Sequence, residues 1–268
     1  MDDAAAAGSP GAGHAPGSPR TVVLLPGTLV PASSYDAVAE PLLARGAFEP
    51  IPLEWMTEVA EPTLASVAAR VAREVADRGH GPAIVVGHST GGAIAAFTAL
   101  AHPGAVAGLV LIDSGPNMRT HSSIRDLLSG LRGPATEAKW RGYAWLNIAS
   151  GTPAQRDYWI RSMVEFSRRV GPGPALSVLE SQFRTDFLAP RRGSGLPAGG
   201  VPAAGLPVEL LHGELDPKRR PVDSRSWQAV FPEADFTLVP GCGHTPPLEA
   251  PGAVVAAVRR VEFRLRGG

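Results

Sequence analysis

The sequence predicts an α/β fold: a mostly parallel central sheet flanked by helices, interrupted once by an inserted helical segment. Three observations predict it. Apolar, β-type runs alternate with helical patterns from Thr21 onward. The runs are apolar continuously rather than at every second position. The alternation lapses between about residues 117 and 205 and then resumes. Strands apolar throughout are buried on both faces, and a parallel sheet covered by helices on each side meets that need. With 268 residues and 44% hydrophobic content, the chain can fill such a core.

The elements follow in order. TVVLLPG (21–27) is a strand running into a turn. SSYDAVAEPLLARG reads as a helix with serine available as N-cap, Pro41 as a kink and Gly46 at its C-terminal end. FEPIPLEWM contains a strand that Pro50 and Pro52 keep away from the centre of the sheet. In TLASVAARVAREVADRG, Thr63 caps a helix, Leu64, Val67, Ala68, Val71 and Val75 share one face, and Gly79 ends it. AIVVG is a buried strand, TGGAIAAFTALAHPG a helix stopped by Pro103 and Gly104, and GLVLIDSG (108–115) another strand. LPVELLHG (206–213) and DFTLVPG (235–241) return to the sheet, and a final helix is expected near 251–265.

The intervening stretch lacks any comparable apolar strand. It reads as amphipathic helices separated by Gly/Pro breaks, such as TPAQRDYWIRSMVEFSRRVG with Pro153 near its start. GSGLPAGGVPAAG (193–205) then loops back to the sheet. The expected division is a disordered tail at 1–19, a core formed by 20–116 and 206–268, and a helical cap at 117–205.

Composition excludes several functions. Lys+Arg and Asp+Glu are both 25, so no global basic field exists to hold a nucleic acid or an anionic membrane. Lysine is confined to Lys139 and Lys218. The start, MDDAAAAGSPGAGHAPGSPR, has neither a basic n-region nor an apolar h-region, so it does not read as a secretory signal. No run approaches the roughly 18 apolar residues of a membrane span. The lone Cys242 forms no internal disulfide and suits a reducing cytoplasm, which is the expected location.

The stretch VVGHSTGG (85–92) carries the chemistry. Gly87-His88-Ser89-Thr90-Gly91 fits G-x-S-x-G at a strand–helix junction, where a turn sharp enough to project a serine hydroxyl needs glycine on either side. The helix N-terminus behind Ser89 turns N–H groups and a positive dipole end toward the reaction centre. A serine hydroxyl is a weak nucleophile until a positioned base takes its proton, and the base needs an orienting acid. Among seven histidines, His244 in PGCGHTPPLE follows the last strand on a glycine-rich loop and is the candidate base. His88 is expected to turn away from Ser89 Oγ, and His212 to pack at a strand end. Asp216, directly after a strand in LLHGELDPKRRP, is the candidate acid, with Asp113 at the end of GLVLIDSG as its competitor. Oxyanion donors are expected from the Thr90 N–H and from the loop after the first strand, through Thr28 or else Leu29.

Together LLPGT, GHSTGG, LLHGELDP and GCGHTPPLE, in this order over about residues 20–265, resemble the α/β-hydrolase fold superfamily. The resemblance implies a Ser…Asp…His triad made by Ser89, Asp216 and His244, and it identifies the 117–205 insertion with the family's helical cap. Two departures are visible. Pro26 replaces the usual strand-end histidine, and PLEWMTEVAEP stands where larger members carry D-x-x-G-x-G-x-S. In its short N-terminal part the chain is similar to compact esterases and hydroxynitrile lyases.

The expected activity is therefore a serine hydrolase cleaving an ester or lactone of a small, moderately apolar molecule. Acyl transfer, cyclisation or cofactor-free lyase chemistry on the same triad, and a non-catalytic binding protein, are the alternatives. Leu29, Trp140, Tyr143, Trp145 and Trp159 are the candidate substrate contacts, the aromatics being otherwise the cap's own core. Cys242 is expected as an apolar filler of its loop. No His/Cys/Asp/Glu spacing suggests a metal, and the chemistry calls for no cofactor.

Overall fold

β1 (Arg20–Leu25) is buried at every position, and its alternate side chains enter two different cores. Val23 and Leu25 join one apolar cluster, Val22 and Leu24 the other. The same division recurs on neighbouring strands, where Val85, Leu109, Leu111 and Leu210 face one way and Ile84, Val86, Val110, Ile112 and Leu211 the other. That is the period-two geometry of a strand with both faces covered. The computed structural model describes residues 18–44, 46–118, 124–134, 136–189, 196 and 205–267. Most of the expected N-terminal tail with His14, His121, and nearly all of the 193–205 loop lie outside the described residues.

β1, β2 (Phe48–Pro52), β3 (Ala83–His88), β4 (Val106–Ile112), β5 (Val208–Gly213) and β6 (Asp235–Val239) form one six-stranded sheet in the order β2-β1-β3-β4-β5-β6. Every neighbouring pair is parallel. β2 takes an edge, as Pro50 and Pro52 require, since neither can donate to a second neighbour.

Helix α1 (Asp36–Leu43) contains Pro41 and ends two residues later. The serine cap expected there does not form. A 3-10 turn at Ala32–Tyr35 precedes α1, and the Glu54 carboxylate takes the Ala32 N–H instead. After the short α2 (Trp55–Glu58) comes α3 (Leu64–Arg78), whose Thr63 cap exchanges hydrogen bonds with Ser66 and whose Gly79 stop adopts φ 69°. Its residues Leu64, Val67, Ala68, Val71 and Val75 are all buried. α4 (Thr90–Ala101) lies beside it, buried nearly throughout.

Between β4 and β5 lie α5 (Ile124–Arg132), α6 (Glu137–Trp145), α7 (Pro153–Val170) and α8 (Pro172–Arg184). Their buried residues, among them Trp140, Ile160, Val164 and Leu179, belong to the same apolar cluster as α3 and α4. Among the described residues the insertion therefore has no separate core. α9 (Pro221–Arg225) and α10 (Pro246–Glu249) are short, and α11 (Pro251–Leu265) closes the opposite face with α1. No helix among the described residues is long and apolar enough to cross a membrane. Because all strands run one way, the loops that leave their carboxyl ends converge on one edge, where a site in an open α/β sheet belongs.

Candidate active site

Between β3 and α4 the chain turns at Ser89, with φ 53° and ψ −115°. A non-glycine residue held there costs on the order of 1–3 kcal/mol and persists only where its surroundings over-determine it. Here the Ser89 N–H donates to Ile112 O at 2.8 Å, and the Gly92 N–H donates back to Ser89 O at 3.0 Å. Glycine is obligatory on both sides. A Cβ on Gly87 would run into the Gly91 carbonyl, and one on Gly91 into the Leu25 carbonyl.

The loop after β6 brings His244 over this turn. Its Nε2 lies 3.2 Å from Ser89 Oγ, and its Nδ1 lies 2.7 Å from Asp216 Oδ2. An ionised carboxylate only accepts, so Nδ1 carries the proton and the Nε2 lone pair faces the serine hydroxyl. Burial pushes the His244 pKa below its ordinary value, the Asp216 charge opposes that, and Lys218 adds to the depression. The imidazole is thus neutral at pH 7 and ready to accept a proton. Burial works to raise the Asp216 carboxyl, but the charge and hydrogen bond of His244 prevail and hold it below the usual carboxylate range. Its other oxygen, Oδ1, accepts the N–H groups of Lys218 at 2.7 Å and Arg219 at 3.2 Å.

Asp113 ends up behind this pair. Its Oδ1 accepts the Gly213 N–H at 2.9 Å and lies 3.0 Å from His212 Nδ1. Burial, and then the Asp216 charge, raises its carboxyl well above the ordinary value. His212 Nδ1 also meets Ser224 Oγ at 2.8 Å, whose hydroxyl donates to Ser114 O. Among the described residues, Asp113, His212 and Asp216 place possible ligand atoms within 4.8 Å of one another. Asp113 Oδ1, His212 Nδ1 and Asp216 Oδ2 bond to Gly213, Ser224 and His244, which makes the cluster a hydrogen-bonded brace under the site.

Thr28 and Thr90 face each other across the serine, joined Oγ1 to Oγ1 at 2.9 Å. Thr90 opens α4, so its N–H has no acceptor within the helix. In the loop after β1 the Leu29 N–H is directed to Met56 Sδ and the Val30 N–H to Gly27 O, and neither bond uses the Thr28 N–H. Both threonines, with Ser89, His244, Met118, Leu127, Tyr143, Leu179, Lys218 and Arg219, line a narrow cavity.

The sequence profile of the alpha/beta hydrolase family matches residues 22–258. The chain belongs to that family. This hydrolase is similar in structure to a thermophilic esterase from Thermogutta terrifontis, at 19% identity and a TM-score of 0.70, over 93% of this chain and 91% of that one. It is similar to the esterase RhEst1 from Rhodococcus sp. ECU1013, at 20% identity and a TM-score of 0.70, over 92% and 91%. The esterase EaEST from Exiguobacterium antarcticum superposes with a TM-score of 0.72 at 14% identity, over 93% of each chain. No curated protein sequence matches the chain. At these identities the likeness speaks for the fold.

The hydrolase brings together Ser89, His244, Asp216, Thr28, Thr90 and Tyr143, and it disperses the other expected contacts. Leu29 is fully buried with φ 60°, off the cavity wall. Trp140 is in the shared core. Trp145 is 58% exposed beneath the Arg156 guanidinium, and Trp159 borders a different groove with Pro31 and Asp36. The reason is helical phase: Tyr143 and Trp145 are two residues apart on α6 and so point to opposite sides. Cys242 is buried, and burial followed by nearby carboxylates pushes its thiol up, away from reactivity.

Two supporting groups went unread in the sequence. Glu249 Oε2 accepts the N–H groups of Ala149, Ser150 and Gly243 and the Ser150 hydroxyl, while Oε1 accepts the Thr245 N–H. One carboxylate thereby ties the His244 loop to the helical insertion. Lys218 and Arg219 are buried in the cavity wall. The run Asp-Pro-Lys-Arg-Arg directly after a strand was the only signal for them.

Proposed function

We propose that this hydrolase cleaves an ester or lactone bond of a small, moderately apolar molecule by way of an acyl-enzyme at Ser89. The observation that carries the reading is the continuous hydrogen-bonded line from Ser89 Oγ through His244 to Asp216, at 3.2 Å and 2.7 Å. In the first half-reaction Ser89 Oγ attacks the carbonyl carbon while its proton passes to His244 Nε2. Asp216 stabilises the imidazolium and keeps the ring in the right tautomer. The oxyanion is held by the N–H groups of Thr28 and Thr90, a donor of this kind contributing about 3 kcal/mol. Collapse breaks the carbon–oxygen bond, and the leaving alcohol takes the proton from His244; in a lactone that alcohol stays attached to the acyl group. Water then attacks the acyl-enzyme, giving its proton to His244, and Ser89 recovers it as the acid departs.

The α5–α8 insertion acts here as a cap, since Leu127, Tyr143 and Leu179 close the cavity from above. The buried thiol of Cys242 suits a reducing compartment, and a cytoplasmic setting belongs to this reading. The test is mass spectrometry after treatment with a fluorophosphonate, followed by turnover on a panel of esters and lactones. Labelling of a peptide containing Ser89, absent in Ser89→Ala, is expected. An unlabelled serine, or a Ser89→Ala variant with undiminished kcat, would overturn the proposal.

A further inference from the structure

Two cationic side chains share the cavity wall with Ser89, and both are buried: Lys218 is 5% exposed and Arg219 3%. Arg219 is the more telling. Its Nη2 contacts Met118 Sδ at 3.4 Å, a weak acceptor, and its Nε and Nη1 have no hydrogen-bond partner. Among the described residues no carboxylate pairs with this guanidinium. Asp216 is committed to His244 and two N–H groups, Asp113 is engaged with Gly213 and His212, and Asp223 is engaged with Arg220. Those acids act on Arg219 only through space. A buried charge with open donors is costly to maintain, and the chain's overall charge balance offers no reason for two of them at one wall.

Lys218 is held in the same wall by design of its surroundings. Its Nζ donates to Asn147 Oδ1 at 2.8 Å and lies 4.2 Å from the centre of the Tyr143 ring. Burial brings its pKa down to about 7 against the pull of Asp216, so an arriving anion would complete its protonation. The rest of the lining from Met118, Leu127, Leu179 and Tyr143 is largely apolar.

We infer that the substrate of this site bears a carboxylate in addition to the bond that is cleaved, and that this carboxylate pairs with the Arg219 guanidinium, with Lys218 alongside. The inference rests on the reading of Ser89 as the nucleophile. A carboxylate would give this buried cation the anionic partner it lacks, which a neutral ester cannot. The cavity beside Ser89 is narrow, and Met118, Leu127 and Leu179 add apolar side chains to its wall, which favours a small acid.

The experiment compares kcat/KM of the full chain on two matched pairs. Monoethyl glutarate against ethyl pentanoate puts the carboxylate on the acyl side, and 4-acetoxybenzoate against its methyl ester puts it on the alcohol side. At least a tenfold preference for the anion is expected in one pair, the scale of a charge-assisted hydrogen-bond pair. In Arg219→Gln that ratio should fall toward one. Equal or better turnover of the neutral member in both pairs, or an Arg219→Gln variant that keeps the preference, would overturn the inference. Should Arg219→Gln fail to fold, the wild-type ratios together with the ratio in Lys218→Met decide in the same way. Fluorophosphonate labelling of Ser89 in the same preparation separates the two claims. Labelling without anion preference defeats this inference alone, and absent labelling defeats the nucleophile.

Discussion

His88 Nε2 donates to the main-chain carbonyl of His244 at 2.5 Å, and the two rings meet edge to face with centroids 5.0 Å apart. The residue before the elbow serine therefore holds the loop that carries the base. Burial first, and then the nearby His244, keeps the His88 pKa well below its ordinary value, so the ring is a neutral donor. Removing it leaves a buried carbonyl unsatisfied, at a cost of about 1–3 kcal/mol. His88→Ala is expected to lower kcat more than it changes KM, with Tm reduced. A variant with full kcat would show that the loop holds His244 without this bond.

Asp216→Asn is expected to reduce kcat/KM on the best ester by about 10⁴, as loss of the orienting acid does in comparable triads. Asp113→Asn changes a side chain that lies against His212 and Gly213 rather than His244, and should cost far less. Steady-state kinetics on both variants ranks them. The opposite ranking would move the orienting role to the end of β4.

The Glu249 clamp allows a separate test. Glu249→Gln places an amide NH₂ where four donors converge, and each lost bond to a charged acceptor costs about 1.5–3 kcal/mol. The expected result is an unfolding free energy lower by several kcal/mol, read from the shifted denaturant midpoint, together with reduced kcat, because the His244 loop and the insertion come apart. Loss of stability with unchanged kcat would confine Glu249 to a structural part.

The pH profile follows from the direction of the His244 shift. The base works only when neutral, and its pKa is depressed below 6.5. Activity should accordingly be fully present at pH 7 and fall as pH drops through the depressed pKa. In kcat/KM, which reports the free enzyme, the acid limb should have its midpoint below pH 6.5. A midpoint above 6.5 would contradict the assignment of the limb to a buried His244.

Tyr143 and Trp145 should behave differently. The Tyr143 hydroxyl donates to Thr28 O at 2.9 Å, steadying the loop that offers the Thr28 N–H. Tyr143→Phe is expected to lower kcat/KM by about five- to tenfold, the scale of one hydrogen bond. Trp145→Ala removes an exposed ring and its contact with Arg156, with a stability change of about 1 kcal/mol or less. Its ratio of short to bulky ester turnover should stay as in wild type. A changed ratio would extend the substrate site beyond the cavity around Ser89.

Much of the fold was legible because its signals are local. Continuous apolar runs announced the strands β1, β3, β4 and β5, and the prolines of β2 announced an edge. The one-sided pattern of α3 and its Thr63 and Gly79 boundaries stand as written. The Gly-flanked serine is equally a local statement, since its neighbours must lack a Cβ for the turn to close. Where capping competed with a distant partner the reading failed, as at Ala32, whose N–H turns to Glu54.

The sequence by itself determined the order of strands and helices and the residue types available at the carboxyl edge, because both depend on contacts within a few residues. Only the tertiary structure shows that Asp216 rather than Asp113 meets His244 Nδ1, the two emerging from the adjacent strands β5 and β4. It also decided that Glu249 closes on Ala149 and Ser150, about a hundred positions away, and that Lys218 and Arg219 turn inward. Each of these depends on the direction of a side chain across elements remote in sequence. The packing of β4, β5 and the insertion sets that direction, and no periodicity records it.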